Sequence, residues 1–283
     1  MRQVILIHAH RDIAQLNALV AQLLDDEFLI YVNVDAKSAI DIGALHPAVR
    51  LVRPGIDIHW GRFSQVEATL HSMRQVLAEA GAFDKLLFIS AQDAPLLPNR
   101  HLKRALAALS GRELLDCVPA GPDGWDCAHR YQYFHAGGPL AALAFRATNC
   151  AMRACRLRRR MVHGWQAWAG SSWWALSRSC VEEVVTLVAA DPALARFFRT
   201  VDCPDEMFFQ TVVMNSPFRE HVLHNNFRHI QWAPGAARSP KVLDASDFGA
   251  IAASPAHFCR KLDLMASAAL LPMLAQLRAG REQ

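Results

Sequence analysis

The stretch Gln3-Val4-Ile5-Leu6-Ile7-His8-Ala9-His10-Arg11-Asp12 decides the fold class of this chain. Val4 to Ile7 is an apolar run of strand length with no polar break, which predicts a strand buried on both faces. Polar groups crowd its end, and Asp12 can cap a helix carrying Leu16, Leu19, Val20 and Leu23 on one face. The pattern then repeats. Phe28 to Val34 predicts a second strand, Arg50 to Arg53 a short third and Ile56 to Trp60 a fourth. Ser64 opens a helix with Val66, Leu70, Met73 and Leu77 inward, and the strand Lys85 to Ile89 follows it. Strands alternating with helices imply an α/β fold with a Rossmann-like, mostly parallel sheet flanked by helices. Ligands of such sheets bind beyond the carboxyl ends of the strands. Those ends carry His8-Ala9-His10-Arg11-Asp12, Asp35-Ala36-Lys37 and Ser90-Ala91-Gln92-Asp93, so polar groups gather where a nucleotide would sit.

Further along, the expected elements are a helix over about Leu102 to Leu109, a strand from Leu114 to Val118 and a loop from Pro119 to Asp126. A helix is expected from Pro139 to about Val162, a short strand or turn at Trp173 to Leu176, and a helix from about Val181 to Ala190. Another helix starts near Pro204-Asp205, Arg228 to Lys241 is loop-rich, and the tail beyond Met265 is helical. No repeat, low-complexity tract or clear linker divides the chain, so a single domain over 1–283 is expected.

With 52% apolar and 20% charged residues the chain can bury a core, which excludes a disordered protein. No secretory leader stands out and no window reaches the roughly 18 apolar residues of a membrane span. The expected location is cytoplasmic, or peripheral on the cytoplasmic membrane face. The seven cysteines are scattered and contain no C-x-x-C pair, which argues against a disulfide framework or a zinc site. Neither zinc-finger spacing nor an RNA-recognition aromatic signature is present, so no nucleic-acid partner is expected. The net charge of +4 hides an asymmetry: Cys127 to Cys180 holds eight arginines and no Asp or Glu, whereas the remainder holds 22 Lys and Arg against 26 Asp and Glu. The run Arg153 to Arg160 admits three readings: a solvated helix face, a cationic helix in peripheral contact with anionic lipid, and a surface for a negatively charged acceptor.

Seven segments carry a further signal: Leu6 to Asp12; Ile30 to Lys37; Trp60-Gly61-Arg62-Phe63-Ser64-Gln65-Val66; Phe88-Ile89-Ser90-Ala91-Gln92-Asp93-Ala94-Pro95-Leu96; Gly170-Ser171-Ser172-Trp173-Trp174-Ala175-Leu176; Cys203-Pro204-Asp205-Glu206-Met207-Phe208-Phe209; and Phe258-Cys259-Arg260-Lys261-Leu262-Asp263. In this order they resemble the core-2/I-branching family of glycosyltransferases, which spans branching β-1,6-N-acetylglucosaminyltransferases and peptide O-xylosyltransferases. The resemblance implies a GT-A type fold, a UDP-sugar donor with N-acetylglucosamine ahead of xylose, inversion at the sugar carbon, and neither metal nor other cofactor. The expected acceptor is a glycan or peptide, or a lipid-linked one where the arginine run meets lipid. The resemblance makes Glu206 the catalytic base, and makes Lys261 and Arg238, 23 positions earlier, the phosphate-binding pair. The expected organisation is a nucleotide-sugar half over about 1–118, an acceptor and catalytic half over about 119–265, and a helical tail over 266–283. The region holding Trp125, Arg130 and Tyr131 corresponds to acceptor contacts, although the family's glutamate there has no clear counterpart. No D-x-D occurs anywhere in the chain, in keeping with cationic side chains in place of a metal.

Other residues admit two readings each. Asp205-Glu206 after Pro204 can be helix-start carboxylates, a role that fits Asp205 better than Glu206. Asp35 can contact the nucleotide or cap the next turn. Asp93 can order the pocket or meet the donor sugar. Trp173 and Trp174 can stack on a sugar or pack in the core. His8 and His10 can line the nucleotide pocket; as an H-x-H pair they can also ligate a metal in a hydrolase. A non-catalytic glycan- or anion-binding protein on the same fold is the other rival.

Overall fold

A computed structural model describes residues 1–135, 139–233, 235 and 239–281. In chain order its strands are β1 (Gln3–Ala9), β2 (Phe28–Val34), β3 (Val49–Leu51), β4 (Lys85–Ser90), β5 (Asp93–Pro95), β6 (Glu113–Pro119), β7 (Trp168–Ser177), β8 (Val222–Leu223), β9 (Arg228–Ile230) and β10 (Phe258–Arg260). Its α-helices are α1 (Ile13–Gln22), α2 (Ser64–Glu79), α3 (Asn99–Ala108), α4 (His129–Gln132), α5 (Pro139–Ala154), α6 (Arg178–Ala190), α7 (Pro192–Phe198), α8 (Phe208–Met214), α9 (Phe248–Ala253) and α10 (Leu270–Gly280). Contacts divide the chain into two compact units, each assembled from separate stretches. The first comprises Met1–Arg53, Ala82–Ser110 and Asn225–Gln283; the second comprises Pro54–Gly81 and Gly111–His224.

The first unit is built on four parallel strands in the order β3-β2-β1-β4. Val4, Ile5, Leu6 and Ile7 are wholly buried, as an unbroken apolar run in a parallel sheet requires. Register places His8 opposite Asn33 on one side and Ser90 on the other, so three polar residues share the carboxyl edge of adjacent strands. Asp12, at φ 58°, caps α1 by accepting from the Gln15 backbone N–H. A small second sheet, β5-β10-β9, pairs β10 antiparallel with β5 and parallel with β9. Behind it Leu96, Leu243, Ile251, Leu262, Leu270 and Leu274 form a separate apolar cluster that seats the C-terminal helix.

The second unit holds β7-β6-β8, with β6 antiparallel to β7 and parallel to β8. A bulge between Leu115 and Cys117 brings Gly170 against the neighbouring backbone; a Cβ there would lie 2.0 Å from the Asp116 carbonyl oxygen. Phe63, Phe198, Phe208, Phe209 and Trp174 pack edge to face or tilted at its centre.

The mixed α/β class, with mostly parallel strands flanked by helices in the manner of a GT-A fold, is the one the sequence predicts. Two local expectations fail. Ile56 to Trp60 forms no strand: it alternates apolar and polar residues, but no neighbour supplies a ladder and Trp60 is exposed. The helix from Pro139 stops at Ala154 instead of about Val162. Leu157 N–H returns to the Met152 carbonyl and Arg156 N–H to that of Arg153, with Arg156 at φ 55°. That is a Schellman stop with an arginine where glycine is usual. Arg156 to Arg160 therefore do not extend the helix face.

Candidate functional site

In the second unit, Pro204 starts a single 3₁₀ turn, Pro204–Glu206, entered through Cys203 in the left-handed region. The turn aims its two acids differently. The N-cap residue Cys203 makes no side-chain cap, and Asp205 accepts from Ser172 Oγ at 2.8 Å and from Gln65 Nε2 at 3.3 Å. Burial, and next the charge of Glu206, raise its pKa to about 6. Glu206 Oε2 pairs with Arg130 Nη1 at 2.5 Å, and the Arg130 guanidinium lies 4.4 Å from the centre of the Trp125 ring. No described residue partners Glu206 Oε1. Three predicted site residues, Trp125, Arg130 and Glu206, thus form one constellation: an indole carries an arginine that orients a carboxylate with one oxygen unengaged. Tyr131 is half-buried in α4, one position on from Arg130.

The adjacent tryptophans separate as strand alternation demands. Trp174 is buried against Phe209, ring centres 5.4 Å apart, so it is a core residue and not a surface for an acceptor. Trp173, on the opposite face of β7, is half-buried.

In the first unit, the carboxyl edge of the sheet holds polar atoms shielded from water, on the half-buried His8 and the buried Asn33. His8 Nε2 and both side-chain amide atoms of Asn33 are buried without a hydrogen-bond partner among the described residues. Burial lowers the His8 pKa to about 3, with Asp35 opposing, so the ring is a neutral imidazole edge-on to Phe88. His10 is exposed, its pKa lowered first by burial and then by Arg11 and Lys261. Among the described residues no group of three or more His, Cys, Asp and Glu side chains is arranged to hold a metal. Asp35 is buried, accepts from the Lys37 backbone N–H and pairs with Lys37 Nζ at 3.2 Å.

Asp93 is engaged more deeply than the sequence suggests. The β5-β10-β9 register sets it beside two arginines: Arg228 Nε lies 3.3 Å from Oδ2 and Arg260 Nη1 3.7 Å from Oδ1, all three side chains being buried. Lys261 follows directly and reaches Ser239 Oγ at 3.4 Å. Its pKa is lowered by burial first, then by Arg11 and Arg260. Positive charge therefore exceeds negative charge around Lys261, a condition that an anion would relieve. Arg238, the other half of the expected phosphate-binding pair, lies outside the described residues.

Sequence reasoning missed Asn33, Ser172, Arg228 and Arg260. A polar residue inside the apolar strand Ile30-Tyr31-Val32-Asn33-Val34 was the available signal for the first. Arg228 opens a segment that reads as loop-rich and Arg260 stands in a family-matching segment with no element assigned, and only sheet register brings them to Asp93.

With this fold and these constellations in view, comparison with known proteins is decisive at the level of family. The profile of the family described as "Branch: Core-2/I-Branching enzyme" matches residues 5–252, and the chain belongs to that family. Xylosyltransferase 2 of Rattus norvegicus is 28% identical over 236 residues, which span 78% of this chain and 25% of that protein. Xylosyltransferase 2 of Homo sapiens gives the same figures. Xylosyltransferase oxt of Drosophila pseudoobscura pseudoobscura is 25% identical over 232 residues. The chain spans about a quarter of the length of these relatives.

Proposed function

We propose that the chain is an inverting glycosyltransferase that moves a sugar from a UDP-sugar to an acceptor hydroxyl. Family membership supports the class, and the relatives' names favour xylose over the N-acetylglucosamine that the sequence resemblance puts first. In this reading Glu206 takes the acceptor proton through Oε1 as the acceptor oxygen forms its bond to the sugar carbon. The bond from that carbon to the UDP oxygen breaks with its electron pair staying on UDP. One carboxylate suffices, because a single displacement forms no glycosyl-enzyme and inverts the carbon. Lys261, with Arg238, meets the charge that builds on the departing diphosphate, taking the part that a divalent metal plays elsewhere. Arg130 and Trp125 orient the base, and Trp173, on the face of β7 opposite the buried Trp174, meets a sugar face.

The observation that carries this reading is the Arg130–Glu206 pair with Oε1 unengaged. The test is Glu206→Gln, assayed for turnover with UDP-xylose and UDP-N-acetylglucosamine and, separately, for UDP affinity. Turnover should fall by roughly 10²–10⁴ with UDP affinity within about twofold. Unchanged turnover would remove Glu206 from the base role.

A further inference from the structure

Helix α5 shows most of its surface to solvent, and its exposed side is not polar. Its inner edge is tied down: Asn149 exchanges two hydrogen bonds with the Phe134 backbone, at 2.9 and 2.8 Å, and Phe145 lies 5.1 Å from the Phe134 ring. At about 100° per residue, Leu140, Leu143, Ala144, Ala147, Cys150, Ala151 and Ala154 fall within about a third of the circumference. All seven are exposed. Leu140 is 85% and Leu143 67% accessible, and Leu157, just past the Schellman stop, is 60% accessible. Leucines left in water on one arc of a helix mark a contact surface and not a solvated face.

The charge around that arc is of one sign. Arg146 and Arg153 border it, and Arg156, Arg158 and Arg160 follow; all five are exposed. Arg159 alone turns inward, donating to the carbonyls of Tyr133, Phe197 and Thr200. No acidic residue occurs between Cys127 and Cys180 to neutralise them. A second copy meeting this face with its own would bring like charges together. A soluble polyanion would use the arginines but leave the leucines wet. An apolar arc bordered along one edge by Arg146 and Arg153 and followed by further arginines, on a helix about 24 Å long, matches the interface of a bilayer that carries negative headgroups. Nor is a crossing required, since no helix among the described residues is long and apolar enough to span a membrane.

We infer that α5 is a membrane-surface helix, which docks the chain on anionic phospholipid with Leu140, Leu143 and Leu157 among the acyl chains and the arginines at the phosphates. The surface extends beyond the Arg153–Arg160 run read from the sequence: most of the apolar arc lies N-terminal to it, and Arg159 belongs to the interior. The inference stands apart from the transferase chemistry.

Flotation of the full chain with vesicles tests it. Vesicles of phosphatidylcholine with phosphatidylglycerol should bind the protein at least about tenfold better than phosphatidylcholine alone, and the difference should shrink at high salt. The double substitution Leu140→Glu and Leu143→Glu should reduce binding to the anionic vesicles at least about tenfold, with the far-ultraviolet spectrum and melting unchanged because both side chains are exposed. Equal binding by wild type and the double variant would overturn the inference. So would failure to bind anionic vesicles. A dimer in sedimentation velocity that the double variant abolishes, with no vesicle binding, would instead assign the face to a second copy.

Discussion

His8 closes the first strand as a neutral imidazole, and the cost of charging it sets a pH dependence that can be measured. Its folded pKa, about 3, lies below the ordinary value of 6.5. The unfolded chain therefore binds the proton first. Stability from this residue is fully present above about pH 6.5 and is lost as pH falls toward 3. Between pH 7 and pH 5 the loss should be about 2 kcal/mol. Urea unfolding at the two pH values should show it for the wild type, with His8→Gln losing correspondingly less; equal losses would mean that the ring is not held neutral. The segment Cys203 to Phe209 singles out Glu206 in the sequence, and Arg130 stands in the region matched to acceptor contacts, but nothing in the sequence pairs the two. Arg130 lies 76 residues away, and no periodicity links positions that only folding joins. The same holds for Asp93 with Arg228 and Arg260, which meet through strand register.

Elements divide along similar lines. Strands β1, β2 and β4 announce themselves as apolar runs, and register follows from them. Helix α5 could be placed at its start but not at its end, because its stop uses an arginine in the left-handed region and the sequence carries no glycine to mark it. What fixes the chain after that stop is Arg159. Its guanidinium donates to three carbonyls and lies 4.3 Å from the ring centres of both Phe134 and Phe197, and burial lowers its pKa to about 10. Arg159→Met should cost about 2–3 kcal/mol in urea unfolding, since it strips hydrogen bonds from part-buried carbonyls. A change below about 0.5 kcal/mol would show that the segment is held by something else. The alternation in Ile56 to Trp60 teaches the converse lesson: a strand pattern without a pairing partner leaves an irregular chain.

At the scale of the whole molecule, each of the two compact units is assembled from separated stretches, a pattern of contacts that composition does not reveal. One carries the cationic surroundings of Lys261, the other the Glu206 constellation, so the proposed donor-binding and proton-transfer roles can be probed by separate substitutions. A chain that bound UDP-sugars yet turned over none of them would be a binding protein on a transferase fold. Titration calorimetry of UDP and UDP-xylose in EDTA, with wild type and Lys261→Ala, bears most directly on the central claim that side-chain cations hold the diphosphate. The wild type should bind as well in EDTA as with manganese, and Lys261→Ala should bind at least about tenfold more weakly. Binding that needs manganese, or that is indifferent to Lys261, would contradict that claim.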